Sequence, residues 1–433
     1  MRPNRKCPMQ SLPRAFSRTP DVSASTFPWC PWCLGGSLFL ACCATLVAIS
    51  LCTIATPALA DAAARTVRIV YVERDEDPFY DPPPETGGVI RTANQRPFAG
   101  AQLGLKDVAA LGRAANVQFT LERRTVAADG DVAAEVKADL AAGAAAVLLD
   151  LPHDDIAAAA KAAPADSAAL FNIRDTADDL RRDLCSTAVF HVIPSQAQLS
   201  DALAQFVVKK NWKHVLILVG QQPDDQVLAK SFAASARKFG ASIIDTRPFI
   251  ASNDPRQREQ NSTALLTGDS DYDTVYLADS DGDFGRFVEY RQIKPRPAIG
   301  SEGLVASAWH QASERYGEDN VNHRFARDAG HAMSDLDWSA WVAVKAVAEA
   351  VTRGHALTPA AIRTALASDQ AAIEMSKGIA GSFRAWDHQL RQPIMLHTAD
   401  AVIDFAPLEG FLDQHSNLDT LGLSSHDVPC KGQ

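Results

Sequence analysis

The chain is 433 residues long, enough for two or three domains of roughly 150 residues each, and its 47% apolar content supports packed cores and excludes wholesale disorder. With 42 Lys and Arg against 52 Asp and Glu the net charge is −10, so a nucleic-acid backbone or an anionic bilayer would meet a repulsive average field. Aromatic residues make up only 7%, a balance that suits helix-covered α/β sheets better than all-β sandwiches.

Residues 1–60 read as an export signal. Arg2, Arg5, Lys6, Arg14 and Arg18 give a basic start, Leu34 to Ile54 an apolar run, and Ala58-Leu59-Ala60 a small-residue cleavage pattern. The alternative is a retained anchor, since Leu34 to Ile54 is long enough to span a bilayer, although Pro57 ends the run. Cleavage removes five basic residues and one acid, turning 42 against 52 into 37 against 51, net −14. Six of the eight cysteines lie in this stretch, and the Cys30-Pro-Trp-Cys33 sequence within it lacks the folded helix start that redox chemistry needs. Cys185 and Cys430 remain, and export to an oxidising compartment predicts that they pair.

In the mature part, Val67–Val72 is a β-branched strand followed by a long polar loop through Pro97. Helix 98–111, strand 117–121, helix 131–142, strand 145–150, helix 154–163 and strand 168–173 complete a β-α-β-α-β-α-β alternation. A second alternation opens with strand 189–193, and Ser195 caps a helix to Lys210. Strand 214–220, helix 224–239, strand 242–245 and strands at 272–278 and 296–300 follow. Residues 325–352 are mostly helical, 358–366 form another helix, and Gly381–Asp387 and Gln392–Leu396 β-structure. The predicted fold class is therefore α/β: two Rossmann-like lobes with parallel sheets joined by a hinge. They divide as 61–190 and 191–325, with 326–400 returning to the lobes and 401–433 a C-terminal tail. Parallel sheets bind ligands at the carboxyl ends of their strands, so a small molecule bridging two such lobes would close the hinge on itself.

Five stretches carry a family resemblance. They are Arg96-Pro97-Phe98-Ala99-Gly100-Ala101, Asp201–Gln205 with Lys210-Asn211-Trp212, and Ser301-Glu302-Gly303-Leu304-Val305 with Ala308-Trp309-His310. Phe383–Ile394 and Asn417–Gly422 complete the set. Together, across residues 65–422, they resemble the substrate-binding proteins of ABC transporters that accompany pyrroloquinoline-quinone (PQQ)-dependent alcohol dehydrogenases. The resemblance implies a type I periplasmic binding protein, similar in fold to the branched-chain amino-acid receptors. Its implied partners are a small-molecule ligand, an ABC transporter permease and the PQQ-dependent alcohol dehydrogenase or its cytochrome. Amino-acid receptors of this fold hold the ligand carboxylate with hydroxyls after the third and fourth strands. Leu151-Pro152-His153 and Asn172-Ile173-Arg174 stand there in this chain with no Ser-Thr pair, which argues against an amino acid.

Position after strands nominates the ligand contacts: Glu73 after the first strand, His153 after the third, Asn172 and Arg174 after the fourth, with Arg96 at the start of the first helix. The second lobe offers Gln221, Asp279, Ser280, Ser301 and Glu302, and Trp309 follows. Arg174 could grip the carboxylate of an organic acid or acidic quinone, or pair with Asp175 or Asp178. Trp309 could stack on a planar ligand or pack in the core, and Arg96 could serve only to shape the helix start. The run Asp269, Asp271, Asp273, Asp279, Asp281 and Asp283 fails the calcium-loop pattern, because Phe284 and Tyr290 fill the positions that need Gly and Glu. No G-x-S-x-G elbow, H-E-x-x-H helix or phosphate loop occurs, and His323 and His331 lack a third ligand. No metal, cofactor or catalysis is expected. Alternatives to a transport receptor are a periplasmic interaction module docking on the dehydrogenase or its cytochrome, with an occluded cleft, and a hydrolase.

Overall fold

The computed structural model describes residues 64–82, 92–164, 167–252, 254–268 and 271–430. The signal segment, its cleavage site at Ala60 and Asp269 lie outside the described residues. No helix among the described residues is long and apolar enough to cross a membrane.

The first lobe begins with β1 (Arg65–Arg74), α1 (Phe98–Ala114), β2 (Val117–Val126), α2 (Val132–Ala141) and β3 (Ala146–Asp150). It continues with α3 (His153–Ala162), β4 (Ala169–Asn172), α4 (Asp178–Asp183) and β5 (Val189–His191). The five strands form one parallel sheet in the order β2-β1-β3-β4-β5. β3 and β4 are buried along their whole length, because helices cover both faces of the sheet.

Ser195 then caps α5 (Gln196–Lys209) with a full capping box, its hydroxyl accepting from the Gln198 amide while the Gln198 side chain accepts from the Ser195 amide. The second lobe runs through β6 (His214–Val219), α6 (Pro223–Phe239), β7 (Ser242–Pro248), α7 (Arg258–Asn261), α8 (Thr263–Gly268), β8 (Thr274–Ala278), α9 (Val288–Arg291) and β9 (Ala298–Gly300). Its parallel sheet has the order β7-β6-β8-β9.

From β10 (Val305–Ser307) the chain returns to the first lobe with α10 (Glu318–Ala329), α11 (Asp335–Thr352) and α12 (Pro359–Leu366). β11 (Ser382–Phe383) and β12 (Leu390–Arg391) pair as a hairpin. β13 (Ile394–His397) lies between β10 and β14 (Val402–Ala406) in a small antiparallel sheet. The mostly helical stretch expected over 325–352 divides between two helices: Gly330 adopts φ +80°, which ends α10, and Ser334 caps α11 three residues before Asp337. The β-structure expected over 381–387 shrinks to two residues, since Trp386 and Asp387 belong to the turn between β11 and β12.

Each lobe carries an apolar core on either face of its sheet, and on each lobe one of the two takes in the returning chain. In the first, Ile69, Tyr71, Leu148, Phe171 and Phe190 pack against Trp338, Trp341 and Val344 of α11 and against Phe383 and Leu390. Val215, Ile217, Tyr276 and Ile299 pack against Phe206 of α5 and Phe232 of α6 in the second. Three crossovers join the lobes, at 192–195, 305–309 and 392–394, and each passes from residues of one core to residues of the other. Gln389 and Gln392 tie the third crossover to the first: their amides donate to the carbonyls of His191 and Ile193 (both 3.0 Å) and of Val192 (2.7 Å). Arg181, fully buried, donates to Gln389 Oε1 (2.9 Å) and the Ile193 carbonyl (2.9 Å).

Candidate functional site

Register assembles the first lobe's site. Parallel pairing sets Glu73, at the end of β1, beside Thr125 on β2 and Asp150 on β3. Two carboxylates then lie on neighbouring strands at the carboxyl edge of the sheet, both buried, and burial without partners would be costly. Arginines and tyrosines supply those partners. Arg123 reaches Glu73 with two nitrogens (2.7 and 3.0 Å), Thr125 donates to it (2.9 Å), and Arg96 adds a longer contact (3.2 Å). Asp150 accepts from Tyr71 (2.6 Å) and from the Tyr80 hydroxyl.

The segment after β1 folds back over this edge. A short 3-10 turn, Pro78–Tyr80, is capped by Asp77, and the other carboxylate oxygen of Asp77 takes the Arg174 guanidinium. Arg174 lies 3.6 Å from Asp150 and under the rings of Phe79 (4.4 Å) and Tyr80 (5.5 Å), while Arg96 covers Tyr80 at 4.5 Å. Arg74 completes the edge with a two-pronged contact to Asp155 (2.7 and 2.8 Å). Burial pushes the Asp150 carboxyl up against the pull of both tyrosines and Arg174. Tyr71 is raised well above the usual phenol range by burial and by Asp150. Arginines 74, 96, 123 and 174 thus face Glu73, Asp77, Asp150 and Asp155, a cluster that balances its own charge.

Two placements correct the sequence reading. Arg174 binds Asp77, neither the Asp175 nor the Asp178 weighed as its partner, because the loop after β1 brings Asp77 onto its head group. Trp309 is buried, stacked on Trp338 at 6.1 Å, and its indole N–H donates to Asn322 (2.8 Å), so it is a core residue. Arg96 holds Glu73 and the Arg74 carbonyl (2.9 Å) rather than merely shaping the start of α1. His153 opens α3 at the surface, 3.5 Å from Asp175 and 3.7 Å from Asp179. Asn172 turns inward: its oxygen accepts the amides of Arg174 (3.1 Å) and Asp175 (2.9 Å), and its nitrogen meets the Asp175 carbonyl and His191.

The second lobe presents carboxylates held mainly by backbone. Asp279, after β8, accepts the amides of Gly282 (3.1 Å), Phe284 (3.0 Å) and Gly285 (2.6 Å), yet burial still raises its carboxyl. Asp225 of α6 accepts from the amide (2.6 Å) and hydroxyl (2.7 Å) of Ser280. Ser301 donates to the Leu277 carbonyl and accepts the Asp279 amide, both at 3.1 Å. Gln221 is exposed, while the neighbouring Gln222 donates to Asp281 (2.9 Å). Glu302 lies in a cavity of about 530 Å³ beside β9, with Phe206, Trp212, Arg286 and His397, and burial raises its carboxyl against the pull of Arg286.

The structure therefore gathers Glu73, Arg96 and Arg174 at one edge and Asp279, Ser280 and Ser301 at the other. Sequence reasoning missed Tyr71, Asp77, Tyr80, Asp150 and Asp225. Asp150 carried a signal, as the single charge closing an apolar strand; Asp77 and Tyr80 carried none, because a loop's return path is not encoded in any period. Among the described residues no group of three or more His, Cys, Asp or Glu could hold a metal ion.

Residues 84–290 match the family of periplasmic binding proteins. Solved structures share the architecture. A periplasmic binding protein from Burkholderia mallei, 13% identical, aligns with TM-score 0.57 over 85% of this chain and 99% of its own. The solute-binding protein of an ABC transporter from R. palustris, in complex with benzoate, is 12% identical, with TM-score 0.56 over 84% and 99%. The branched-chain amino-acid binding protein LivJ of Streptococcus pneumoniae, in complex with isoleucine, is 18% identical, with TM-score 0.55 over 79% and 99%. No curated protein matches the chain. The fold is that of type I periplasmic binding proteins.

Proposed function

We propose that the chain is a periplasmic solute-binding protein that takes a small organic ligand between its two lobes and delivers it to the permease of an ABC transporter. The observation that carries this reading is the pairing of two parallel sheets, each ending in a cluster of polar side chains, on lobes joined by three crossovers. Isoleucine and benzoate in proteins of the same fold support a small organic ligand. The motif resemblance adds a setting beside PQQ-dependent alcohol oxidation.

The charges narrow the ligand. Arg174 is already matched by Asp77, and the second edge brings Asp281 and Glu302, so a polyanion meets no unmatched cation at these positions. A ligand that contributes hydrogen-bond donors, hydroxyl or amino, suits this edge better than the organic acid that Arg174 first suggested. Native mass spectrometry of protein purified from periplasm should find one bound small molecule, and scattering should show compaction when it is added back to stripped protein. Stripped protein whose radius of gyration stays constant with every recovered molecule would overturn the proposal.

One observation favours a second reading: Asp77, Phe79 and Tyr80 fill the edge of the first sheet, as an occluded cleft would require. A non-transport module docking on the alcohol dehydrogenase or its cytochrome would recover those subunits, and no permease, from a periplasmic pull-down.

A further inference from the structure

Three of the stretches that stood out in the sequence, Asp201–Gln205, Phe383–Ile394 and Asn417–Gly422, belong to neither carboxyl edge. They meet one another instead. We infer that residues 417–430 form a strap fastened to both lobes, which sets how far the hinge can rotate; this rests only on the two-lobe fold and not on what the cleft holds.

The fastening alternates residue by residue. Asp419 is held from the first lobe, by Arg384 (2.9 Å) and Arg391 (2.9 and 3.0 Å) on the β11–β12 hairpin, whose Phe383 and Leu390 lie in the first core. Thr420 is held from the second, its hydroxyl by Gln205 of α5 (3.1 Å) and its carbonyl by Lys238 of α6 (3.0 Å). Leu421 gives its carbonyl to Arg384 (2.6 Å) and its side chain to the second core. Gly422 donates to Asp201 of α5 (2.7 Å) and accepts from Lys238 (3.1 Å). The Leu423 carbonyl returns to the first lobe through the Trp386 indole (3.2 Å).

Both anchors are buried, which distinguishes a fastening from a surface contact. Arg384 is fully enclosed, and Asp201 is 3% exposed with the Lys238 ammonium at 2.6 Å. Gly422 sits at φ +83°, and a Cβ there would come within 2.6 Å of the Gln198 side chain, so the crossing point admits only glycine. Farther on, the strap ends at Cys430, bonded to Cys185 beside α4 of the first lobe. A tail that merely covered a surface would be held from one side. Held from both, it must rupture or act as a pivot whenever the lobes rotate.

The test uses the full exported chain carrying Asp201→Ala with Lys238→Met, which removes the Asp201 and Lys238 holds on Thr420 and Gly422 and leaves Gln205, the Leu421 packing, the disulfide and Arg384 in place. Amides of the crossovers 192–195, 305–309 and 392–394 should exchange at least tenfold faster, and scattering should show a broader spread of radii. Protection in β1, β3, β6 and β8 should stay unchanged. Arg256→Ala, which removes an exposed pair with Asp254, should do neither. Free exchange of 417–423 with crossovers unaltered would reduce the tail to a dispensable cover, and loss of protection in all four strands would make it part of the global core. Either result overturns the inference.

Discussion

Arg174 is a cation whose surroundings were chosen by its neighbours' backbone. Its guanidinium is nearly enclosed, and its nearest carboxylate is Asp77, presented by a turn that folds back from the end of β1, with Asp150 farther off at 3.6 Å. Removing one partner of an enclosed pair leaves a charge in a poor solvent, so Asp77→Ala should cost about 3 kcal/mol in urea denaturation. The double variant Asp77→Leu with Arg174→Leu should recover much of that. His310 makes the opposite electrostatic case. Burial, helped by the stacked His397 at 4.0 Å, pushes its imidazole down to about 4. A histidine whose folded value lies below its unfolded one is stabilising when neutral, so this contribution is present above about pH 6.5 and is lost as pH falls toward 4. The stability profile of His310→Gln should be flatter than wild type between pH 6.5 and 4, as read from denaturation midpoints at each pH.

At the scale of elements, the contact between α1 and α11 decides how the returning chain docks. Gly100 of α1 lies so close to α11 that a Cβ would stand 2.0 Å from the Asp337 carbonyl oxygen, and at Gly104 it would stand 2.9 Å from Val344. No side chain yields to a backbone carbonyl, so Gly100→Ala must separate the helices and loosen Trp338 and Trp341 beneath them. A loss of about 3 kcal/mol or more is expected, measured by thermal or urea unfolding. In the sequence this glycine was one of the residues of the Arg96–Ala101 motif, and its role was invisible there because its partner lies more than 200 residues away. The element boundaries were legible where local chemistry marks them: Ser195 at the start of α5 and Thr358 before α12 cap as their residue types demand. Where a break depended on one backbone angle, as at Gly330, the reading gave a mostly helical stretch with no boundary in it.

For the molecule as a whole, the tail reaches far back along the chain. Cys185 and Cys430 are 245 positions apart, with Cα atoms 5.9 Å apart. A cross-link over so long a loop restricts the unfolded chain strongly, so Cys185→Ser with Cys430→Ser should lose about 4 kcal/mol, checked by denaturation with wild type under oxidising and reducing conditions. What residue order alone could determine was the alternation of strands and helices in the two lobes, the parallel character of both sheets and the pairing of the last two cysteines. Each follows from short-range periodicity, from capping, or from counting. What only tertiary structure decided was who neutralises whom. Arg174 found Asp77 rather than its sequence neighbours, Trp309 went to the core, and Arg384 met Asp419, because partners in a buried network are set by how loops return and how elements pack, distances that no local pattern encodes.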